Sequence, residues 1–145
     1  MKTKPVLESQ AAILVAQAGC QHAAGKDWAI SICVVDDGGH ILVLHRMDGA
    51  APGTVQAAID KARSAAIFRA PTMLFQGLIA DGQTSILALP GAMPIQGGLP
   101  IRAGEVVVGG VGVSGVRSHE DEEIAAMALE SPSVQDFQIS GPPMP

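Results

Sequence analysis

Six side chains and one glycine-rich bend in this chain could do chemistry. His22 follows an apolar stripe at helical spacing, Leu7, Ala11, Leu14, Val15 and Ala18. A histidine there is either a helix-end residue favoured by the macrodipole or an axial ligand to a metal or haem at a pocket rim. His45 and Arg46 stand at a strand end, with Asp48 just beyond. Arg46 could grip a carboxylate with both arms of its guanidinium, or pair with Asp48 to shape the loop. Lys61, Glu120 and Asp121 join His45 as candidate acid–base groups, with Arg46 as substrate clamp. Their spacing fixes no reaction, and Lys61 beside Asp60 has the ordinary reading of a solvated helix face.

The bend lies between Val106 and Met127. Valines at 106, 107, 108 and 111 favour a buried strand, and glycines at 109, 110, 112 and 115 interrupt them. Glycine inside a strand marks a bulge or a close backbone approach. Ser118, with Asp121 three positions on, reads as the N-cap of a helix. Strand, glycine bend and helix in succession could leave backbone N–H groups near Ser114 and Gly115 for an anionic ligand. The same pattern also serves a tight connection with no ligand. Ser114 sits between glycines, but no histidine is placed by the sequence to activate it. Gly110 to Gly115 lacks the full dinucleotide fingerprint, and no phosphate-loop or zinc-protease motif occurs.

These groups need elements to hold them. Residues 6–24 read as a helix, with Pro5 at its start and Gly25 at its end. Residues 28–35 and 41–45 form a hairpin through the Asp36-Asp37-Gly38-Gly39 turn. Both faces of the first strand are apolar, so both are expected to be covered. Residues 54–68 read as a second helix with Val55, Ile59, Ala62 and Ala66 on its inner face, and residues 73–79 as a shorter one. Residues 85–97 read as a loop with a short strand. A second hairpin spans 96–102 and 105–113, and a last helix 118–129. Residues 131–145, rich in proline past 140, read as a C-terminal tail or arm on which Phe137 and Ile139 could dock against a neighbour. Two hairpins with helices packed on the sheet make an α+β domain over 1–130.

A chain of 145 residues, 48% hydrophobic and 16% charged, has enough apolar surface for one core and is too apolar for disorder. The net charge of −5 and the lack of a basic patch exclude nucleic acid as a partner class. Cys20 and Cys33 have no metal-type spacing and suit a reducing, cytoplasmic setting. Glu8, Ser9 and Gln10 break what would be the apolar core of an export signal, and no run is long enough to span a membrane.

Four segments now stand in order: Val34-Val35-Asp36 through Gly39-His40; Arg46 through Ala50; Gly97-Gly98-Leu99-Pro100-Ile101; and Gly109 through Gly115, with Asp121 just beyond. Lys61-Ala62 and Pro71-Thr72 fall between them. The set closely resembles the GlcG/HbpS-like family, which includes the C-terminal domain of PduO-type proteins, over about residues 6–130. The resemblance implies a profilin-like fold, a five-stranded antiparallel sheet flanked by helices, assembling as dimers and often as octamers. It implies haem or corrinoid-related binding for some members. In the PduO-type domain a histidine on the first helix is the ligand, and His22 is the one histidine on that helix here. It also suggests that Gly97, Gly98 and the glycine bend lie near the ligand.

Three functions follow as expectations. The first is a small-ligand-binding protein, with haem or a related tetrapyrrole as cofactor, His22 as metal ligand and Met47 or Met93 as a second ligand. In this reading Arg46, Gly97, Gly98, Ser114 and Gly115 line the ligand site. The second is an enzyme on a small organic acid or heteroaromatic intermediate. The third is an assembly module with no ligand.

Overall fold

The computed structural model describes residues 1–135. In chain order they form α1 (Ser9–Gly25), β1 (Ser31–Asp36), β2 (Ile41–Arg46), α2 (Gly53–Phe68), α3 (Thr72–Ala80), a 3-10 turn (Thr84–Ala88), β3 (Gly98–Ala103), β4 (Val106–Ser114) and α4 (Ser118–Glu130). The strands make one antiparallel sheet in the order β2-β1-β4-β3. Among the described residues the sheet has four strands, not five. The short strand expected within 85–97 is replaced by the 3-10 turn and irregular backbone. Pro90 and Pro94 lack the N–H a ladder needs, and Gly91 has φ +83°.

β1 is covered on both faces, as its composition predicts. Ile32 and Val34 join Val111 and Val113 of β4 in a core with Val15 of α1 and Ile124 of α4. Cys33 and Val35 point the other way, against Ala58, Ala62 and Ala66 of α2. The hairpin turns where Asp36 Oδ1 accepts the N–H groups of Gly38 and His40, each at 2.9 Å, with Gly39 at φ +83°.

Two helix faces differ from the expected stripes by one residue. On α1 the buried residues are Ala11, Ala12, Val15, Ala16, Gly19 and Ala23, so the face keeps Ala11 and Val15 of the expected stripe but ends on Ala23, with half-buried His22 beside it. Gly19 carries the stripe because α1 presses so close that a Cβ there would lie 2.6 Å from Ile32 Cδ1. On α2 the buried residues are Ala58, Lys61, Ala62, Ser64, Ala65 and Ala66, while Val55 and Ile59 are half-buried. Lys61, with its solvated-face reading, is instead 2% exposed.

Val134, within the expected tail, is 1% exposed and packs in the main core. Phe137 and Ile139 lie outside the described residues. No helix among the described residues is long and apolar enough to cross a membrane.

Candidate functional site

The glycine bend is a packing device. A Cβ on Gly110 would lie 2.3 Å from Ala62 O, and one on Gly112 would lie 2.2 Å from Ala58 O and 2.4 Å from Ala62 N. α2 therefore rests its backbone directly on β4, and no guest fits between them. Gly98 does the same on β3, with Lys61 O at 2.4 Å from a Cβ, while its N–H donates to Thr72 Oγ1 at 2.9 Å. Gly115, at φ +152°, lies against Ala29 O and Ile30. Of the two sequence readings of this stretch, the close backbone approach holds over 109–112.

At the end of the same contact Lys61 Nζ donates to Val113 O at 2.9 Å and to Asp121 Oδ2 at 3.1 Å. Asp121 Oδ1 accepts the Val116 N–H at 3.1 Å. Gly97, φ +133°, closes over them: a Cβ there would lie 2.8 Å from Lys61 Nζ. Burial pushes the Asp121 carboxyl above its usual range, against the opposing pull of Lys61 and the Val116 N–H. Both side chains are 3% exposed, so the pair has almost no surface with which to meet a substrate. It ties α2, β4 and α4 together. Glu120 is occupied too, accepting the Arg117 N–H at 3.2 Å. The N-cap of α4 is thus Arg117 and not Ser118. The first free donors before the helix are satisfied by its own carboxylates, which leaves Ser114 and Gly115 beside a filled N-terminus.

The remaining expected residues are dispersed. His22 Nε2 donates to Glu123 Oε2 at 3.1 Å and meets the Trp28 ring edge-on at 6.5 Å, at the junction of α1 with α4. That hydrogen bond holds the Glu123 carboxyl below its ordinary range. Arg46 donates from Nε to Ala50 O at 3.0 Å and has no ion pair with Asp48 among the described residues. It shapes the loop through a carbonyl.

His45 is placed differently. It is exposed at the end of β2, an outer strand, and lines an open groove of about 290 Å³ between α1 and β2. Ile13, Ala16, Val43 and Leu44 supply an apolar floor, and Gln17 and Cys20 complete the wall. A second hollow of about 360 Å³, bordered by Asp60, Arg63, Ile67, Gly91, Ala92 and Met93, is more polar. Sequence reasoning did not single out Cys20 as a site residue. The signal was available: Ile13, Ala16, Gln17 and Cys20 share one helical face.

The two thiols differ in reach. Cys33 is fully buried and burial pushes it up to about 12, whereas Cys20 is half-buried and raised less far. A thiol needs its thiolate to react. Iodoacetamide at mildly alkaline pH should therefore label Cys20 in the native protein and reach Cys33 only after denaturation. Peptide mass spectrometry showing equal native labelling would refute the placement of Cys33.

The chain has clear relatives. A family model described as "Haem degrading protein HbpS-like" matches residues 7–130. Protein GlcG of Escherichia coli K12 is 39% identical over 114 residues, covering 79% of this chain and 85% of that protein. The crystal structure of a double mutant of Streptomyces reticuli HbpS superposes with a TM-score of 0.83 at 30% identity, covering 90% of this chain and 89% of that one. A PduOC:heme complex shares the fold, with a TM-score of 0.79 at 21% identity over 87% of this chain and 94% of that one. With a model match that spans the domain and a curated relative at this identity, the chain belongs to the HbpS-like family.

Proposed function

We propose that the protein binds a planar, largely apolar ligand of the haem type, held at the groove between α1 and β2 with His45 as the iron-binding side chain. The observation that carries this reading is the groove itself: an apolar floor with an imidazole and a thiol at its edge. Those are the side chains a tetrapyrrole iron accepts. Family membership supports the ligand class. At about 290 Å³ the groove is at the small end for ligand clefts, so it takes one edge of a macrocycle. Bound haem would supply redox-active iron; the chain supplies the apolar contact, the orienting wall of Ile13 and Val43, and the nitrogen of His45.

His22 is the contrasting candidate, with its Nε2 already spent on Glu123. The two are separated by titrating the protein with hemin and following the Soret band. Wild type should saturate, His45→Ala should bind at least about tenfold more weakly, and His22→Ala should stay close to wild type. Bound hemin should also slow alkylation of Cys20. Loss of the band in His22→Ala with His45→Ala unchanged would move the iron to the α1–α4 corner. No saturable band in wild type would remove haem as the ligand.

A further inference from the structure

Arg63 of α2 borders the hollow of about 360 Å³ and has no partner there. Arg46 and Arg102 donate to backbone carbonyls, but Arg63 makes no hydrogen bond or ion pair among the described residues. Asp60, one helical turn earlier, borders the same hollow, and its Oδ1 accepts from Gln56 Nε2 at 2.9 Å. Residues three apart on a helix are neighbours, so an Asp60–Arg63 pair would be the ordinary arrangement. It does not form, because the Arg63 stem packs on the β1–β2 turn: a Cβ on Gly39 would lie 3.5 Å from both Arg63 Cγ and Nε. The two charges therefore stand apart along the rim.

The wall beside them is apolar and rests on backbone. Ile67, 40% exposed, lies between two glycine turns, each with φ +83°. A Cβ on Gly39 would stand 3.4 Å from Ile67 Cγ2, and one on Gly91 would stand 2.9 Å from Ile67 Cδ1. Ser64, fully buried, accepts the Met93 N–H at 3.0 Å, which fixes the loop of Gly91, Ala92 and Met93 against α2. The fold thus sets the walls before any ligand arrives, which lowers the ordering cost of binding. The volume is at the small end for small-molecule clefts. The acids of the neighbouring turn are engaged elsewhere. Asp36 Oδ1 accepts two turn N–H groups and Asp37 pairs with Lys4 at 2.6 Å, so neither takes Arg63.

We propose that this hollow binds a free amino acid with an aliphatic side chain, its carboxylate on Arg63, its ammonium on Asp60 and its side chain against Ile67 and Met93. The two rim charges choose the class. A plain carboxylic acid would meet Arg63 but also the like charge of Asp60, and a plain amine would meet the reverse. A zwitterion satisfies both. The apolar wall asks for an aliphatic chain, and the flexible thioether of Met93 adapts to its length and branching. This site is independent of the proposed haem groove. α2 covers the Cys33 and Val35 face of β1, whereas α1, which walls the groove, lies on the Ile32 and Val34 face. No residue borders both hollows.

The test is isothermal titration calorimetry of the full chain with L-leucine. Wild type should bind saturably with a Kd of about 0.1–1 mM, the range that suits two exposed ionic contacts. L-methionine should bind within about threefold of that value. Isocaproate, which is leucine without the ammonium, and isopentylamine, which is leucine without the carboxylate, should each bind at least about fivefold more weakly. Arg63→Gln and Asp60→Asn should each weaken L-leucine by at least about fivefold, with the melting temperature unchanged. Lys26→Gln, which removes a surface cation just past the end of α1, should bind as wild type does. Hemin titration of Arg63→Gln should match wild type, so the failure of either site leaves the other standing. No saturable binding of L-leucine by wild type overturns the proposal, as does binding that Arg63→Gln leaves unchanged. Isocaproate binding as tightly as L-leucine, with Asp60→Asn without effect, overturns the zwitterion assignment.

Discussion

Replacing Lys61 with methionine should cost about 3–5 kcal/mol of folding stability, the usual loss when one partner of a buried ion pair is removed. The variant keeps the aliphatic stem and deletes the ammonium. It strands Asp121, 2% exposed, with the Val116 N–H as its remaining donor, and leaves Val113 O without the Lys61 hydrogen bond. For a domain of this size the melting temperature should fall by roughly 10–15 °C. Lys61→Met combined with Asp121→Asn should recover more than half of the loss. The amide oxygen can still accept from Val116, and no buried charge is left. The deficit should also depend on pH. Without Lys61, only the Val116 N–H opposes the burial that already holds the Asp121 carboxyl above its usual range. An acid that ionises less readily when folded is cost-free while both states are protonated. It destabilises the fold as pH rises through and above the unfolded value. Urea unfolding should therefore show a smaller gap between variant and wild type near about pH 5 than near about pH 7. A Lys61→Met loss below about 1 kcal/mol would mean that water reaches the pair, and the buried clasp would have to be abandoned.

That clasp shows where a sequence reading runs out. Ile32 and Val34 against Cys33 and Val35 announce a strand covered on both faces, because alternation alone assigns each set to a side. The Asp36–Gly39 turn is equally plain, since carboxylate, glycine and chain reversal go together. Lys61 gives no such sign. Its partner lies 60 residues away on another helix, and a lysine among alanines reads as solvated until that helix is docked. His22 falls beside the buried face for a related reason. A stripe traced through leucine, valine and alanine passes over Gly19, although a Cβ there would stand 2.6 Å from Ile32 Cδ1 of β1. The groove was hidden because it joins α1 to β2, two elements whose adjacency no local pattern encodes.

The glycines of β4 give the most direct test of what the valine–glycine segment is for. Gly112→Ala should abolish stable folding, with an expected loss above about 4 kcal/mol out of a total stability of roughly 5–15 kcal/mol. The added methyl would stand 2.2 Å from Ala58 O and 2.4 Å from Ala62 N. Both obstacles are helix backbone, so no rotamer change relieves them; α2 itself must lift. Lifting α2 also loosens the contacts at Gly110 and Gly98 and draws Lys61 away from Val113 O and Asp121. One methyl thus strikes the whole α2 face. A ligand-lining glycine would behave in the opposite way: alanine would weaken binding and leave the fold intact. Gly77→Ala is the internal comparison. Nothing lies within 4 Å of a Cβ there, and alanine in a helix interior should be neutral or stabilise by about 0.5–1 kcal/mol. Soluble yield, near-ultraviolet circular dichroism and the urea midpoint distinguish the cases. A Gly112→Ala protein that unfolds at the wild-type midpoint but has lost its affinity for hemin would return the segment to the ligand site. One that fails to fold while Gly77→Ala matches wild type confines its role to seating α2 on the sheet.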